Sequence, residues 1–156
     1  MKKRVMILLC CCGAVQAAQK PIELATDSRV SVVAFAENNV VSIQGATFVA
    51  TQIKFGDEES IINIQSGDAA AWTAKVDEHL PNMLFLKPES YDSHTNMTVI
   101  TNTHTYYFDI QSNKKDEVVK PVYSLKFIYP VEEQRKQEQR LLKLQQQKEA
   151  SLSAFQ

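Results

Sequence analysis

Residues 22–130 form a series of short runs rich in Val, Ile, Phe, Tyr and Thr, separated by clusters of Asn, Asp, Gly and Ser. That pattern predicts an all-β domain. Residues 30–35 alternate imperfectly, Glu37-Asn38-Asn39 makes a turn, and residues 40–44 follow as the expected hairpin partner. Along 48–55, Phe48, Ala50, Gln52 and Lys54 alternate with Val49, Thr51, Ile53 and Phe55, so one face of that strand is the more apolar. A strand over 61–65 follows the turn at Gly56-Asp57-Glu58-Glu59. Met83-Leu84-Phe85-Leu86 is apolar at successive positions, which predicts a strand buried on both faces. Lys87-Pro88 ends it, because proline has no N–H for the ladder. Residues 96–101 and 105–110 pair across Asn102-Thr103, and 122–129 places Tyr123, Leu125, Phe127 and Tyr129 on one face. These eight strands suffice for a two-sheet β-sandwich.

Two segments depart from strand character. Asp68 precedes Ala69-Ala70-Ala71-Trp72 and can cap the free amides of a short helical turn near 69–75. Trp72, the only tryptophan, is then expected to cover one end of the core with its indole N–H bonded to backbone. Beyond Pro130 the chain turns to Gln, Glu, Lys and Arg, with Leu141, Leu142 and Leu144 as the sizeable apolar residues of 132–150. The composition favours helix. Leu141 and Leu144 fit one heptad, but Lys148 and Ser151 occupy the next pair, so a solvated helical linker is the expectation over a coiled coil. A sharper alternative docks Leu141, Leu144, Leu152 and Phe155 on a partner.

Lys2, Lys3 and Arg4, the apolar stretch 5–12, and Val15-Gln16-Ala17 before Ala18 read as a secretory signal peptide cleaved between Ala17 and Ala18. The apolar run is about half the roughly 20 residues a membrane span needs. The organisation expected is therefore a leader over 1–17, a β-sandwich domain over 18–130 and a Gln/Glu/Lys-rich helical linker over 131–156, in a protein exported to the periplasm. All three cysteines, Cys10, Cys11 and Cys12, belong to the leader, so the remainder has no thiol for a disulfide, a zinc site or covalent catalysis. Without the leader, 14 basic residues face 18 acidic ones, which argues against nucleic-acid binding through bulk positive charge.

Catalytic patterns are scarce. His79, His94 and His104 stand 15 and 10 residues apart, with no i, i+4 pair and no carboxylate neighbours of the kind metal sites favour. There is no Gly-rich phosphate loop and no G-x-S-x-G elbow. No catalytic, cofactor or metal residues are assigned, and no enzyme activity is expected. Asp27 and Arg29, two apart on a predicted strand, share a face and can pair with each other or with a neighbouring subunit. Lys87 is expected at the sandwich rim.

The ordered series of features resembles the TrbG/CagX family, the ninth VirB-type subunit of type IV secretion and conjugation machines. It runs from Asp27-Ser28-Arg29-Val30 through Thr51-Gln52-Ile53-Lys54-Phe55, Glu59, Gly67-Asp68 and Trp72 to Leu84-Phe85-Leu86-Lys87-Pro88. It continues with Thr95-Asn96-Met97, Thr101 and Tyr106-Tyr107-Phe108-Asp109-Ile110, and closes on residues 123–130. The resemblance implies an N-terminal β-sandwich, a helical linker and a second β-sandwich that contacts the outer-membrane lipoprotein and the pore-forming subunit. This chain corresponds to the first domain plus linker, as a natural short homologue or a truncated gene product. What the resemblance then implies is a structural subunit of the periplasmic and outer-membrane core complex. It would pack in a ring with the pore-forming subunit, with lipoprotein contact in doubt and with Asp27, Arg29, Gly67, Asp68, Trp72, Lys87, Pro88, Tyr106 and Tyr129 as structural or interface residues. The competing expectation is a free periplasmic module that binds glycan or peptide on Trp72 and exposed tyrosines such as Tyr91.

Overall fold

The computed structural model describes residues 17–153. The leader proposed over 1–17 lies, apart from Ala17, outside the described residues. Ten strands and one helix follow in order: β1 (Ile22–Glu23), β2 (Val30–Ala34), β3 (Val40–Gly45), β4 (Thr51–Lys54), β5 (Ile61–Ser66), β6 (Trp72–Val76), β7 (Met83–Pro88), β8 (His94–Thr101), β9 (Thr105–Ser112), β10 (Ser124–Ile128) and α1 (Pro130–Ser153). A six-stranded sheet of order β1-β2-β10-β4-β7-β6 packs on a four-stranded sheet of order β3-β9-β8-β5. Both sheets are mixed: β10 runs parallel to β2 and β4, and β3 runs parallel to β9.

The core lies between the sheets and follows period-2 alternation. Val33, Ile53, Leu84, Leu86, Leu125 and Phe127 from one sheet meet Val41, Ile43, Met97, Val99, Phe108 and Ile110 from the other, all buried. Phe55, Phe127 and Tyr106 stack at one end of this core, with Phe55–Phe127 centroids 5.5 Å apart and Phe55–Tyr106 centroids 4.6 Å apart.

The sandwich differs from the sequence expectation in several places. Strands β2 and β3 are not a hairpin; each enters a different sheet, because burial of Val33 and of Val41 and Ile43 is met by opposite sides of the core. Strand β4 starts at Thr51, since Phe48 is swung outward in a turn closed by Val49 N–H on the Ala46 carbonyl at 2.9 Å. Strand β7 is fully buried on one face only, through Leu84 and Leu86, while Met83 and Phe85 are half-buried. Residues 69–71 form a turn, not a helix, and Trp72 begins β6. The expected cap is present: the Ala70 and Ala71 amides donate to Asp68 Oδ1 at 3.2 and 3.0 Å. Strands β1 and β6 are edge strands that the apolar pattern did not announce. Ahead of β1, Gln19 bridges to Val41 in parallel, with its N–H on the Val40 carbonyl at 2.8 Å.

The helix leaves the sandwich without a loop. Ile128 ends β10, Pro130 begins α1, and Tyr129 between them accepts the Glu133 N–H on its carbonyl at 3.0 Å. Proline at the first helical position and Glu132 and Glu133 in the first turn suit the unsatisfied amides and positive end of a helix N-terminus. At 1.5 Å per residue the 24-residue helix projects about 36 Å, and Leu141, Leu142, Leu144 and Leu152 on it are exposed. No helix among the described residues is long and apolar enough to cross a membrane.

Candidate functional site

The chemistry of the molecule concentrates where α1 departs. The turn after β4 is closed by Glu59 N–H on the Gly56 carbonyl at 3.0 Å, and it aims the Glu59 side chain inward between the sheets. A side chain at Gly56 would meet Glu59 Oε1 at 2.8 Å, so a larger residue there would push the carboxylate from its place. Glu59 is 5% exposed. Its carboxylate accepts from Thr101 Oγ1 at 2.5 Å, Tyr106 Oη at 2.6 Å, Tyr129 Oη at 2.7 Å and the Gly56 amide at 3.2 Å. Tyr106 and Tyr129 also touch each other at 2.7 Å through their hydroxyls, and Tyr129 Oη accepts the Gly56 N–H at 2.9 Å.

His104, in the β8–β9 hairpin, extends the cluster to the helix. Its Nδ1 stands 3.3 Å from Glu59 Oε1 and its Nε2 2.8 Å from Glu132 Oε1. Phe35 covers the imidazole at a centroid distance of 4.3 Å, and the Tyr129 ring stacks on it at 5.6 Å. Buried carboxylates are tolerated when every lone pair is met, and here the donors come from β8, β9, the residue after β10 and the β4–β5 turn.

Electrostatics agree with that geometry. Burial alone pushes the Glu59 carboxyl up, but the Thr101, Tyr106 and Tyr129 hydroxyls and the Gly56 amide outweigh it and hold the group below the ordinary carboxylate range. Burial, then the neighbouring Glu59, push the Tyr106 and Tyr129 phenols well above their ordinary value. Glu59 is thus held as an anion with both oxygens occupied, which makes it a structural hub. Clefts of about 690 and 390 Å³ flank the first turn of α1. No group of three metal-ligating side chains exists among the described residues.

Of the residues singled out in the sequence, Tyr106 and Tyr129 meet in this cluster. Glu59 entered the sequence argument only through the resemblance, and His104 was set aside as lacking carboxylate company. That is corrected: the hairpin and α1 bring it Glu59 and Glu132, and His94 on β8 meets Asp109 on β9 at 2.6 Å.

The opposite end of the sandwich holds most of the others. Trp72 is 3% exposed, so it cannot serve as a stacking platform for glycan. Its indole N–H donates to Ser93 Oγ at 3.0 Å, a side chain and not backbone. It pairs with Pro88 across β6–β7, and Gly45 leaves room for its ring: a Cβ there would meet Trp72 Cη2 at 2.8 Å. Gly67 lies beside Asn96, to whose carbonyl its N–H donates at 3.0 Å. Lys87 points outward and pairs with Glu89 at 3.2 Å. Asp27 and Arg29 sit in the turn before β2, not on a strand, and form a two-bonded pair of 2.7 and 3.0 Å, with the guanidinium 4.9 Å from the Tyr123 ring centre. The Arg29 side-chain and backbone hydrogen bonds lower Asp27 to about 2.

Residues 28–155, which take in β2 to β10 and α1, match the CagX model, described as a conjugal transfer protein. The chain belongs to the CagX family. Over 120 residues this CagX-family chain is 27% identical to the type IV secretion system protein virB9 of Bartonella henselae, covering 72% of this chain and 41% of that protein. The virB9 protein of Bartonella quintana matches equally, with 40% of its length covered. The chain therefore spans about two fifths of the curated relatives it matches.

Proposed function

We propose that the chain is a structural, non-catalytic subunit of a type IV secretion or conjugation channel, working in the periplasm as part of the core complex. The observation that carries this is the family match over 28–155, which takes in the sandwich and α1 together. The sandwich acts as a rigid block and α1 as a strut whose direction is set at Tyr129. In this reading 18–130 is the packing domain and 131–156 the connecting element, and the pore-forming subunit of the channel is the main partner. The Glu59 cluster supports it physically: a strut joined to its base by one residue transmits position only if that residue cannot rotate, and the Tyr129 hydroxyl donates to Glu59 and accepts the Gly56 amide.

Deleting the gene in its host and measuring plasmid transfer or effector export tests the proposal. Loss of transfer, restored by the gene in trans, is expected. Transfer at the parental rate in the deletion strain would contradict it.

A further inference from the structure

His104 is set between two carboxylates that reach it from different parts of the chain. Its Nδ1 faces Glu59 Oε1 at 3.3 Å and Tyr106 Oη at 3.4 Å, and its Nε2 faces Glu132 Oε1 at 2.8 Å. The Tyr106 proton already lies on Glu59, 2.6 Å away, so each oxygen opposite the two ring nitrogens is an acceptor. A neutral imidazole carries one N–H and one lone pair, and only the imidazolium donates from both nitrogens. The geometry therefore calls for the charged ring. The Phe35 and Tyr129 rings packed against it, at centroid distances of 4.3 and 5.6 Å, also suit a cation.

The wider surroundings have the same sign. The two clefts beside the ring are lined by Glu37 from the β2–β3 turn, by Asp57, Glu58 and Glu59 from the β4–β5 turn, by Lys126 from β10, and by Glu132, Glu133, Arg135 and Lys136 from α1. Six carboxylates thus stand against three cations, and burial, then Glu59, keep the Tyr106 and Tyr129 phenols protonated. The two carboxylates that touch the ring differ in freedom. Glu59 is 5% exposed and is held in addition by Thr101, Tyr106, Tyr129 and the Gly56 amide. The Glu132 side chain is 29% exposed. A lone pair turned on the buried carboxylate is costly, whereas Glu132 can swing into water. The ring itself cannot follow α1, because its hairpin is closed by the Thr101 N–H on the His104 carbonyl at 2.9 Å and the His104 N–H on Thr101 Oγ1 at 3.0 Å.

We propose that His104 is a proton-operated latch on α1. Charged, it ties Glu132 to Glu59 and fixes the first turn of the helix to the sandwich; neutral, it keeps its remaining proton on Nδ1 for Glu59 and lets Glu132 go. Imidazole is the side chain that changes charge at about pH 5 to 8. That window lies above the range in which the Glu59 carboxyl takes up a proton and below the range in which the two phenols lose theirs, so the latch moves while those three groups keep their charge. Attachment of α1 is present on the acid side of the window and is lost as pH rises through it. Residues 133–152 are all exposed, and helices in proteins draw most of their stability from tertiary packing, so release of the first turn loosens the turns that follow. The inference stands on the geometry around His104 and not on the channel reading.

Amide hydrogen exchange of the purified full chain at pH 5.5 and pH 9, expressed as protection relative to the intrinsic rate at each pH, tests it. Amides of residues 133–140 are expected to be about three- to fivefold less protected at pH 9, the weight of a partly exposed pair, while the strands keep their protection. Imidazole nitrogen NMR shifts should show His104 protonated on both nitrogens at pH 5.5 and on Nδ1 alone at pH 9. Two variants separate the latch from simple packing. Glu132→Ala, and His104→Phe, which keeps a ring in place with no proton to lose, should both show the lower protection of α1 at either pH. Equal protection of α1 at the two pH values in the wild type, a pH step that survives in Glu132→Ala, or a neutral His104 protonated on Nε2 would overturn the proposal.

Discussion

Replacing Glu59 by alanine removes the acceptor for three buried hydroxyls. After the change Tyr106 can still donate to Tyr129, 2.7 Å away, and Thr101 to the His104 carbonyl at 3.2 Å. The Tyr129 proton then has no acceptor of its own; the reversed chain, Tyr129 to Tyr106 and Tyr106 to His104 Nδ1, ends on a long 3.4 Å contact, so one buried proton is poorly met at about 1–3 kcal/mol, and two charge-assisted bonds become neutral ones. With the small cavity added, Glu59→Ala is expected to cost about 3–4 kcal/mol, a fall of roughly 12–16 °C in Tm for a domain of this size. Glu59→Gln keeps an oxygen toward the tyrosines but turns an amide N–H₂ on Thr101 Oγ1, which already accepts from the Thr103 and His104 amides. About 2 kcal/mol is expected there. The pH dependence separates this from simple packing loss. Because the folded carboxyl is depressed below its ordinary value of 4.5, its contribution is fully present above about pH 4.5 and is lost as pH falls through the lower folded value. Urea melts from pH 7 to pH 3 should show wild type and Glu59→Gln converging on the acid side. A Glu59→Ala loss under about 1 kcal/mol at pH 7, or a constant gap between the two curves down to pH 3, would show that the ionised Glu59 carboxylate does not hold the cluster together.

Three other outcomes follow from the geometry. Gly45→Ala drives a methyl into the Trp72 ring at under 3 Å and should cost about 1–3 kcal/mol by overpacking, seen as a lowered Tm with a shifted Trp72 emission. Glu132→Ala cuts the link between His104 and α1; as a partly exposed pair it should cost under about 1 kcal/mol in global stability, yet quicken amide hydrogen exchange in the first turns of α1 while the strands are unchanged. On the alkaline side, Tyr106 and Tyr129 bind their protons more tightly when folded than at the ordinary value of 10.0, so their contribution is present below pH 10 and lost as pH rises beyond it. Tyr129→Phe should flatten that alkaline limb in pH-dependent urea melts.

The strand content and the core were legible because one apolar face repeats every second residue along 40–45, 51–54, 94–101 and 124–128. The pairing was not. Placement of β10 between β2 and β4, parallel to both, depends on which faces close over one another, and nothing local distinguishes that from a β2–β3 hairpin. Strand β6 was hidden because Thr73 and Lys75 face water and Ala74 contributes little bulk, so only Trp72 and Val76 marked it. Tyr106, Tyr129 and Glu59 were each named singly through the family resemblance, and neither their meeting nor the part of His104 was foreseen. Their meaning arises from a hairpin, a turn and a helix start converging from positions 59, 104 and 132, a separation no spacing rule captures. Trp72 shows the converse: its place at the end of the core was readable, and its hydrogen-bond partner, Ser93, was not.

We propose above that this CagX-family chain is a component of a type IV channel. Chemical cross-linking of intact host envelopes, affinity capture of the tagged chain and identification of what accompanies it test that claim most directly. The pore-forming subunit of the channel should be captured in stoichiometric amount. Recovery of the chain free of any secretion-channel subunit would contradict it.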